Sequence, residues 1–125
     1  MVRSIFFAGL GGFIGTALRF SLSRFIQESS HSLFPWPTLI INITGCLLIG
    51  IIMGISEKGD FLSADLRLFL TVGICGGFTT FSSFSNDSFL LLRDKEWLLF
   101  SLYASFSFFF CILAVYLGRI ISKIM

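Results

Sequence analysis

The sequence GGFTTFSSF, residues Gly76–Phe84, lies near the middle of the uncharged run Leu68–Asn86. It combines two glycines and four hydroxyl side chains with three phenylalanines. Each glycine weakens a helix by about 1 kcal/mol relative to alanine, and Ser and Thr can hydrogen-bond to carbonyls that leave a helix. The stretch therefore predicts a helix that is broken inside an apolar segment.

Three further runs contain no Asp, Glu, Lys or Arg: Ser4–Leu18, Ser29–Ser56 and Trp97–Gly118. The 125-residue chain is 55% hydrophobic and only 13% charged, which is too little charge for the surface of a soluble domain. About 20 apolar residues span a bilayer as a helix, and Arg3 and Arg19 at the ends of the shortest run can snorkel to the headgroups. We therefore predict an all-α integral membrane protein in which residues 1–125 form a single four-helix transmembrane domain, with the third helix broken near its middle.

The expected helices have short connections, and no strand pattern is present. Pro35 and Pro37 suit the first turn of the second helix, and Trp36 and Trp97 fall at span ends, where aromatic belts form. The predicted bounds are Val2–Phe25, Phe34–Ser56, Asp65–Leu92 and Trp97–Lys123.

The cations are divided almost equally between the two sides of the membrane. Four spans place five on one side and four on the other: Arg3, Lys58, Arg67, Arg119 and Lys123 against Arg19, Arg24, Arg93 and Lys95. Because the Lys/Arg bias sets topology, either something else orients this chain, or it inserts both ways and pairs antiparallel with itself. Four thin helices enclose little alone, which favours the second interpretation.

Several function classes lack their residues. No basic block indicates nucleic acid, and no nucleophile–base pair indicates an enzyme. Cys46, Cys75 and Cys111 lie inside spans without metal-ligand spacing and are interpreted as packing residues. Gly11 and Gly15, like Gly50 and Gly54, have the G-x-x-x-G spacing that lets membrane helices approach closely.

Polar side chains inside the spans have two interpretations each. Asn42, which shares a helix face with Thr38, either bonds helices together or contacts a ligand. Arg19, at the end of the first helix, is either a snorkelling anchor or a cation that concentrates anions at a vestibule. We expect no full positive charge at mid-span.

The break itself has the chemistry of an ion site. Freed carbonyls suit a small hard cation. Phe81 and Phe84 lie on one face and either pack in the core or offer their positive ring edges to an anion. Tyr103, Ser107 and Cys111 follow at four-residue spacing on the last helix.

Together these motifs resemble the Fluc, or CrcB-type, fluoride channels of microbes, over essentially the whole chain. GGFIGTALRF (residues 11–20) resembles the glycine–arginine signature of the family's first helix. PTLIINITGCLLIG (residues 37–50) resembles its asparagine motif, and GICGGFTTFSSF (residues 73–84) its helix break. The resemblance implies an antiparallel, dual-topology homodimer with two pores that passively exports fluoride across the cell (inner or plasma) membrane and relieves its toxicity.

The resemblance also implies roles for individual residues. Phe81 and Phe84 would line the pores, and Asn42 would donate a hydrogen bond to fluoride. Gly76 and Thr79 would offer backbone carbonyls to a structural sodium ion at the dimer centre. The remaining matches are a polar track and a vestibule arginine: Thr38, Ser82, Ser83, Tyr103 and Ser107 for the track, and Arg19 for the vestibule.

The chain departs from the family pattern at three positions. Ser83 stands where Thr is usual and keeps the hydroxyl. Cys111 replaces a common Ser, a stronger hydrogen-bond donor, and Asp87 replaces an expected Glu with shorter reach.

The main alternative to a fluoride channel is a small dimeric proton-coupled exporter of organic cations. It would need a membrane-embedded carboxylate, and the first helix has none. A subunit of a membrane assembly without transport of its own would explain the glycines but not the hydroxyl-rich break.

Overall fold

The computed structural model describes residues Met1–Met125, and every regular element in it is a helix. The elements are α1 (Val2–Ser29), α2 (Trp36–Lys58), α3 (residues 64–78), α4 (Phe81–Arg93) and α5 (Trp97–Ile124). The segment Ala64–Arg93, formed by α3 and α4, and the helices α1, α2 and α5 are each long and apolar enough to cross a bilayer. The prediction of four membrane-spanning segments is thereby confirmed.

The ends of the helices follow the prolines and tryptophans of the sequence. Pro35 is the N-cap of α2 and Pro37 lies in its first turn, where the missing N–H has no intrahelical partner to lose. Trp97 is the first residue of α5. α1 runs to Ser29, four residues beyond the predicted end at Phe25. Arg19 is therefore ten residues inside α1, and the expectation that it ends this helix was wrong.

α3 changes its winding along its length. It is α-helical over Ala64–Leu68, π-helical over Phe69–Cys75 and ends with the turn Gly76–Phe78. Thr79 and Thr80 then adopt extended backbone angles, with φ/ψ of −93°/152° and −153°/126°. α4 begins at Phe81, capped by the Thr80 side chain, which accepts a hydrogen bond from the backbone N–H of Ser83.

Glycines hold the helices together in pairs, as their spacing predicts. A Cβ atom on Gly11 or Gly15 of α1 would collide with the backbone of α3, and one on Gly50 of α2 would collide with the backbone of α5. One on Gly118 of α5 would lie 2.8 Å from the backbone nitrogen of Ile51. The pairs α1–α3 and α2–α5 are therefore packed backbone against backbone.

This packing predicts that Gly118→Ala destabilises the protein. The added methyl group has no space, and overpacking costs about 1–3 kcal/mol. Thermal unfolding in detergent should show the loss as a lower midpoint temperature. Gly9→Ala is the matched control, because a Cβ there meets nothing within 4 Å. Equal midpoints for the two variants would contradict the proposed packing.

At one end of the bundle the N-terminus, the second connection and the C-terminus come together. Arg3 pairs with Asp65 at 2.8 Å, and Arg119 pairs with Glu57. The Lys58 ammonium donates to the backbone carbonyls of Ser122 and Met125, both at 2.8 Å. The three regions therefore lie at the same end of the bundle, as expected when two spans separate each from the next along the chain.

Candidate functional site

The break between α3 and α4 is held by Asn42 of α2. Its amide nitrogen donates to the carbonyl of Thr80 at 3.2 Å, and its amide oxygen accepts from the N–H of Thr80 at 3.0 Å. Both backbone groups of an extended residue are thereby satisfied, as apolar surroundings require. The geometry favours the helix-bridging interpretation of Asn42. Since a primary amide carries two N–H groups, one of them remains for another acceptor.

Arg19 of α1 reaches the same break. Its Nε donates to the carbonyl of Gly77 at 3.0 Å, and the side chain is half-buried. A guanidinium in this position satisfies a carbonyl that the helix end leaves free. The guanidinium thus lies at the break, whereas the snorkelling interpretation placed Arg19 at a helix end.

Three carbonyls at the break, those of Gly76, Phe78 and Thr79, accept no hydrogen bond within the chain. In a continuous helix the N–H of Thr80 would donate to the Gly76 carbonyl, but here it donates to the Asn42 side chain. The N–H of Ser83 would likewise donate to the Thr79 carbonyl, but here it donates to the Thr80 hydroxyl at 3.3 Å. Neither the backbone bonds outside the helices nor the side-chain bonds supply a replacement. The carbonyls of Gly76 and Thr79 are thus available as hard oxygen ligands.

Aromatic rings continue from the break toward α5. The ring centroids of Phe81 and Phe84 are 5.5 Å apart, and those of Phe84 and Tyr103 are 5.1 Å apart. Tyr103 is completely buried, Phe84 is half-buried, and 77% of Phe81 is exposed on the single chain. The two phenylalanines are thus neighbours at the start of α4, with Phe81 on the surface of the protomer.

The Tyr103 hydroxyl donates to the Asp87 carboxylate at 3.1 Å. Ser107, one turn along α5, is buried like Tyr103, and Cys111 is half-buried one turn further. The predicted stripe of Tyr103, Ser107 and Cys111 therefore faces the interior of the bundle. Asp87 lies at one end of this stripe, bonded to Tyr103.

A polar cavity of about 510 Å³ opens beside the first connection. It brings together Thr38 of α2, Ser82 and Ser83 of α4, and Asp87. The Ser82 hydroxyl also shares a hydrogen bond of 2.8 Å with the Thr80 hydroxyl at the break. Asn42, Phe81, Phe84, Tyr103 and Ser107 do not line this cavity; they lie along the break and α5.

Sequence reasoning missed two parts of the site. Thr80 is the residue whose backbone and side chain organise the break, and the signal for it was a Thr followed by a helix start. The other part is a polar stripe on α1, in which Arg19 reaches the break while Ser23 and Gln27 line the cavity. The signal was the four-residue spacing of these side chains, which places them on one helix face.

Comparison with known proteins gives a consistent result over the whole chain. The family model described as CrcB-like protein, Camphor Resistance (CrcB), matches residues 6–119. A protein of Flavobacterium psychrophilum named fluoride-specific ion channel FluC is 42% identical over 98% of this chain and 98% of its own length. Proteins of the same name from Azobacteroides pseudotrichonymphae and Paramagnetospirillum magneticum are 39% and 44% identical, over 98% and 92% of this chain and 98% and 91% of theirs.

Proposed function

Because the chain belongs to the CrcB-like family, we propose that it is a fluoride-selective ion channel that lets fluoride leave the cell passively. Fluoride enters cells as its neutral acid where the medium is acidic and would leave as the ion. Such a route needs no energy-coupling carboxylate. Because the relatives are ion channels, we propose no enzymatic activity for this chain. The relatives give no support to the alternative of a proton-coupled exporter.

The observation that carries the proposal is the break in the third segment and the polar groups that meet there. Fluoride is small and strongly hydrated, so a selective path has to replace its water with several modest donors. Thr38, Ser82 and Ser83, which carry hydroxyl groups, line the polar cavity. The N-terminus of α4, which carries partial positive charge, lies at the break.

We assign the family's pore roles to the residues that match it. Phe81 and Phe84 would present ring edges to the anion, and Asn42 would donate its remaining N–H. Tyr103 and Ser107 would continue the track along α5. Arg19 would keep the local potential positive while its bond to Gly77 prevents it from holding the anion as a free cation would.

The exposed break also supports a dimer. Gly76, whose carbonyl accepts no hydrogen bond, and Phe81 are both exposed on the single chain. An unpaired carbonyl facing lipid in the middle of a membrane costs several kcal/mol, so protein or water has to cover it. A second copy, antiparallel because the cations are divided five to four, would cover both breaks and complete two pores.

We propose that a structural sodium ion binds at the same place. The free carbonyls of Gly76 and Thr79 are hard donors without a competing hydrogen bond. Two copies related by a twofold axis would provide four such oxygens. When bound, a cation there would neutralise the partial negative charge of these carbonyls. In this chain the Asn42 amide and the Thr80 hydroxyl accept the hydrogen bonds of the N–H groups that would reach these carbonyls in a continuous helix.

The proposed function is tested with purified protein in liposomes loaded with potassium fluoride or potassium chloride, with valinomycin to balance charge. We expect rapid fluoride release while chloride is retained. Failure to release fluoride, or equal release of chloride, would reject a fluoride-selective channel. Protein-free liposomes are the control for leakage.

Tyr103→Phe should slow fluoride release while leaving the fold intact. The variant keeps the ring that packs on Phe84 but removes the hydroxyl that donates to Asp87, so the carboxylate loses this partner and repels an anion on the track more strongly. A hydrogen bond to a charged group contributes about 1.5–3 kcal/mol, and a barrier change of that size corresponds to roughly tenfold or more in rate. Initial rates of fluoride release measure the effect. Tyr116→Phe, at an exposed position on the same helix, should behave like the original protein.

A further inference from the structure

The helices α2 and α5 pack in a regular register. Gly50 lies against the backbone of Val115, and a Cβ on Gly54 would lie 3.4 Å from the Cα of Arg119. Both pairs have the same numerical offset, and both helices run in the same direction. One turn before Gly50 this register pairs Cys46 with Cys111.

The same register brings the two thiols to this interface. Glycine at position 50 brings the helix axes close together, so side chains one turn away lie near each other across the interface. The register therefore places the Cys46 and Cys111 side chains opposite each other on the facing surfaces of α2 and α5. Both are half-buried and neither is in a disulfide.

We propose that Cys46 and Cys111 form a two-thiol binding site for a soft, thiophilic metal ion of the kind that favours two-coordination, such as Hg(II), Ag(I) or Cu(I). Thiolates are the protein ligands that soft metal ions prefer. For Hg(II) the two S–H bonds break, two S–Hg bonds form and two protons are released. The thiols act as ligands only when deprotonated, and no electron is transferred.

The proposed site has only two protein ligands. No group of three His, Cys, Asp or Glu side chains in the structure can hold a metal ion. Cys75, buried in α3, is therefore not a third ligand. Metals that require four ligands, such as structural Zn(II), have no complete site here, whereas two sulfurs suffice for an ion that binds linearly.

Occupancy of this site would affect the path along α5. Cys111 is one turn from Ser107 on the stripe that begins with Tyr103, and these side chains face the bundle interior. A metal ion that bridges α2 and α5 would take the Cys111 thiol out of this stripe and tie the two helices together. Inhibition of fluoride release, which depends on the proposed function, is a second readout beside binding itself.

The experiment titrates the detergent-solubilised protein with Hg(II) acetate as the probe. We expect one tight equivalent per protomer, the ultraviolet charge-transfer absorption of a mercury–thiolate bond and release of two protons. Cys46→Ser and Cys111→Ser should each weaken binding by roughly 100-fold, because the second ligand no longer adds its effective concentration. Cys75→Ser is the matched control and should keep the full affinity and proton count.

The outcomes separate the site from the channel. Tight binding lost in both pair variants but kept in Cys75→Ser supports the site, whether or not fluoride release is measurable. Equal binding by all three variants, or loss only in Cys75→Ser, would overturn it. If a pair variant does not fold, the Cys75→Ser protein decides alone: one equivalent with two protons supports the pair, and any weaker or single-proton binding rejects it.

Discussion

Phe81→Ile and Phe84→Ile are each expected to reduce fluoride release at least tenfold while the protein remains folded. Isoleucine keeps the apolar volume but has no aromatic edge to stabilise an anion. If the lost stabilisation raises the barrier by about 1.4 kcal/mol, the rate falls tenfold. The two rings are neighbours, with centroids 5.5 Å apart, so either substitution interrupts the same pathway.

The measurement is the initial rate of fluoride release from liposomes at equal protein content. Phe108→Ile is the matched control, because Phe108 is exposed on α5 and its ring is paired only with Phe109. A gel-filtration profile of each variant checks that the fold and assembly are retained. Normal release by both Phe81→Ile and Phe84→Ile would refute the pore assignment.

Asn42→Ala should have the second large effect, on both stability and conduction. It removes two hydrogen bonds and leaves the N–H and C=O of Thr80 without partners in an apolar environment. Each unsatisfied group costs about 1–3 kcal/mol. The variant should unfold at lower temperature and release fluoride far more slowly.

Thr44→Ala is the control for Asn42→Ala on the same helix. The Thr44 hydroxyl is exposed and bonds only to the Ile40 carbonyl of its own helix. Its removal should therefore change neither the unfolding temperature nor the rate of fluoride release. If Asn42→Ala matches Thr44→Ala in unfolding temperature, the amide does not hold the break. If it is destabilised but conducts normally, Asn42 is a structural bridge without a role in the pore.

Features that depend on local chemistry could be predicted from the sequence. Runs without charge determine where a chain can cross a membrane, so the four spans were predicted within a few residues. The glycines at positions 11, 15, 50 and 54 were recognised as contacts between helices because removing a side chain has the same consequence wherever the partner lies. The prolines at the start of α2 likewise follow from the missing N–H.

Features that depend on a partner far along the chain could not be predicted. Nothing near Arg19 in the sequence indicates that its guanidinium reaches Gly77, 58 residues away. Asn42 had two interpretations because its partner, Thr80, is known only after α2 and the break are placed side by side. The bond between Tyr103 and Asp87 is of the same kind. The chemistry of these side chains follows from their residue types, whereas their partners are determined by how the helices pack.

The clasp between Asn42 and Thr80 has a consequence for how the protein is made. Asn42 leaves the ribosome 38 residues before the group that satisfies it. Until the next segment emerges, its amide has to bond to water, lipid headgroups or the insertion machinery. The smallest unit that can settle stably in the membrane therefore includes α2, α3 and the start of α4, and these segments should partition from the translocon together rather than one at a time.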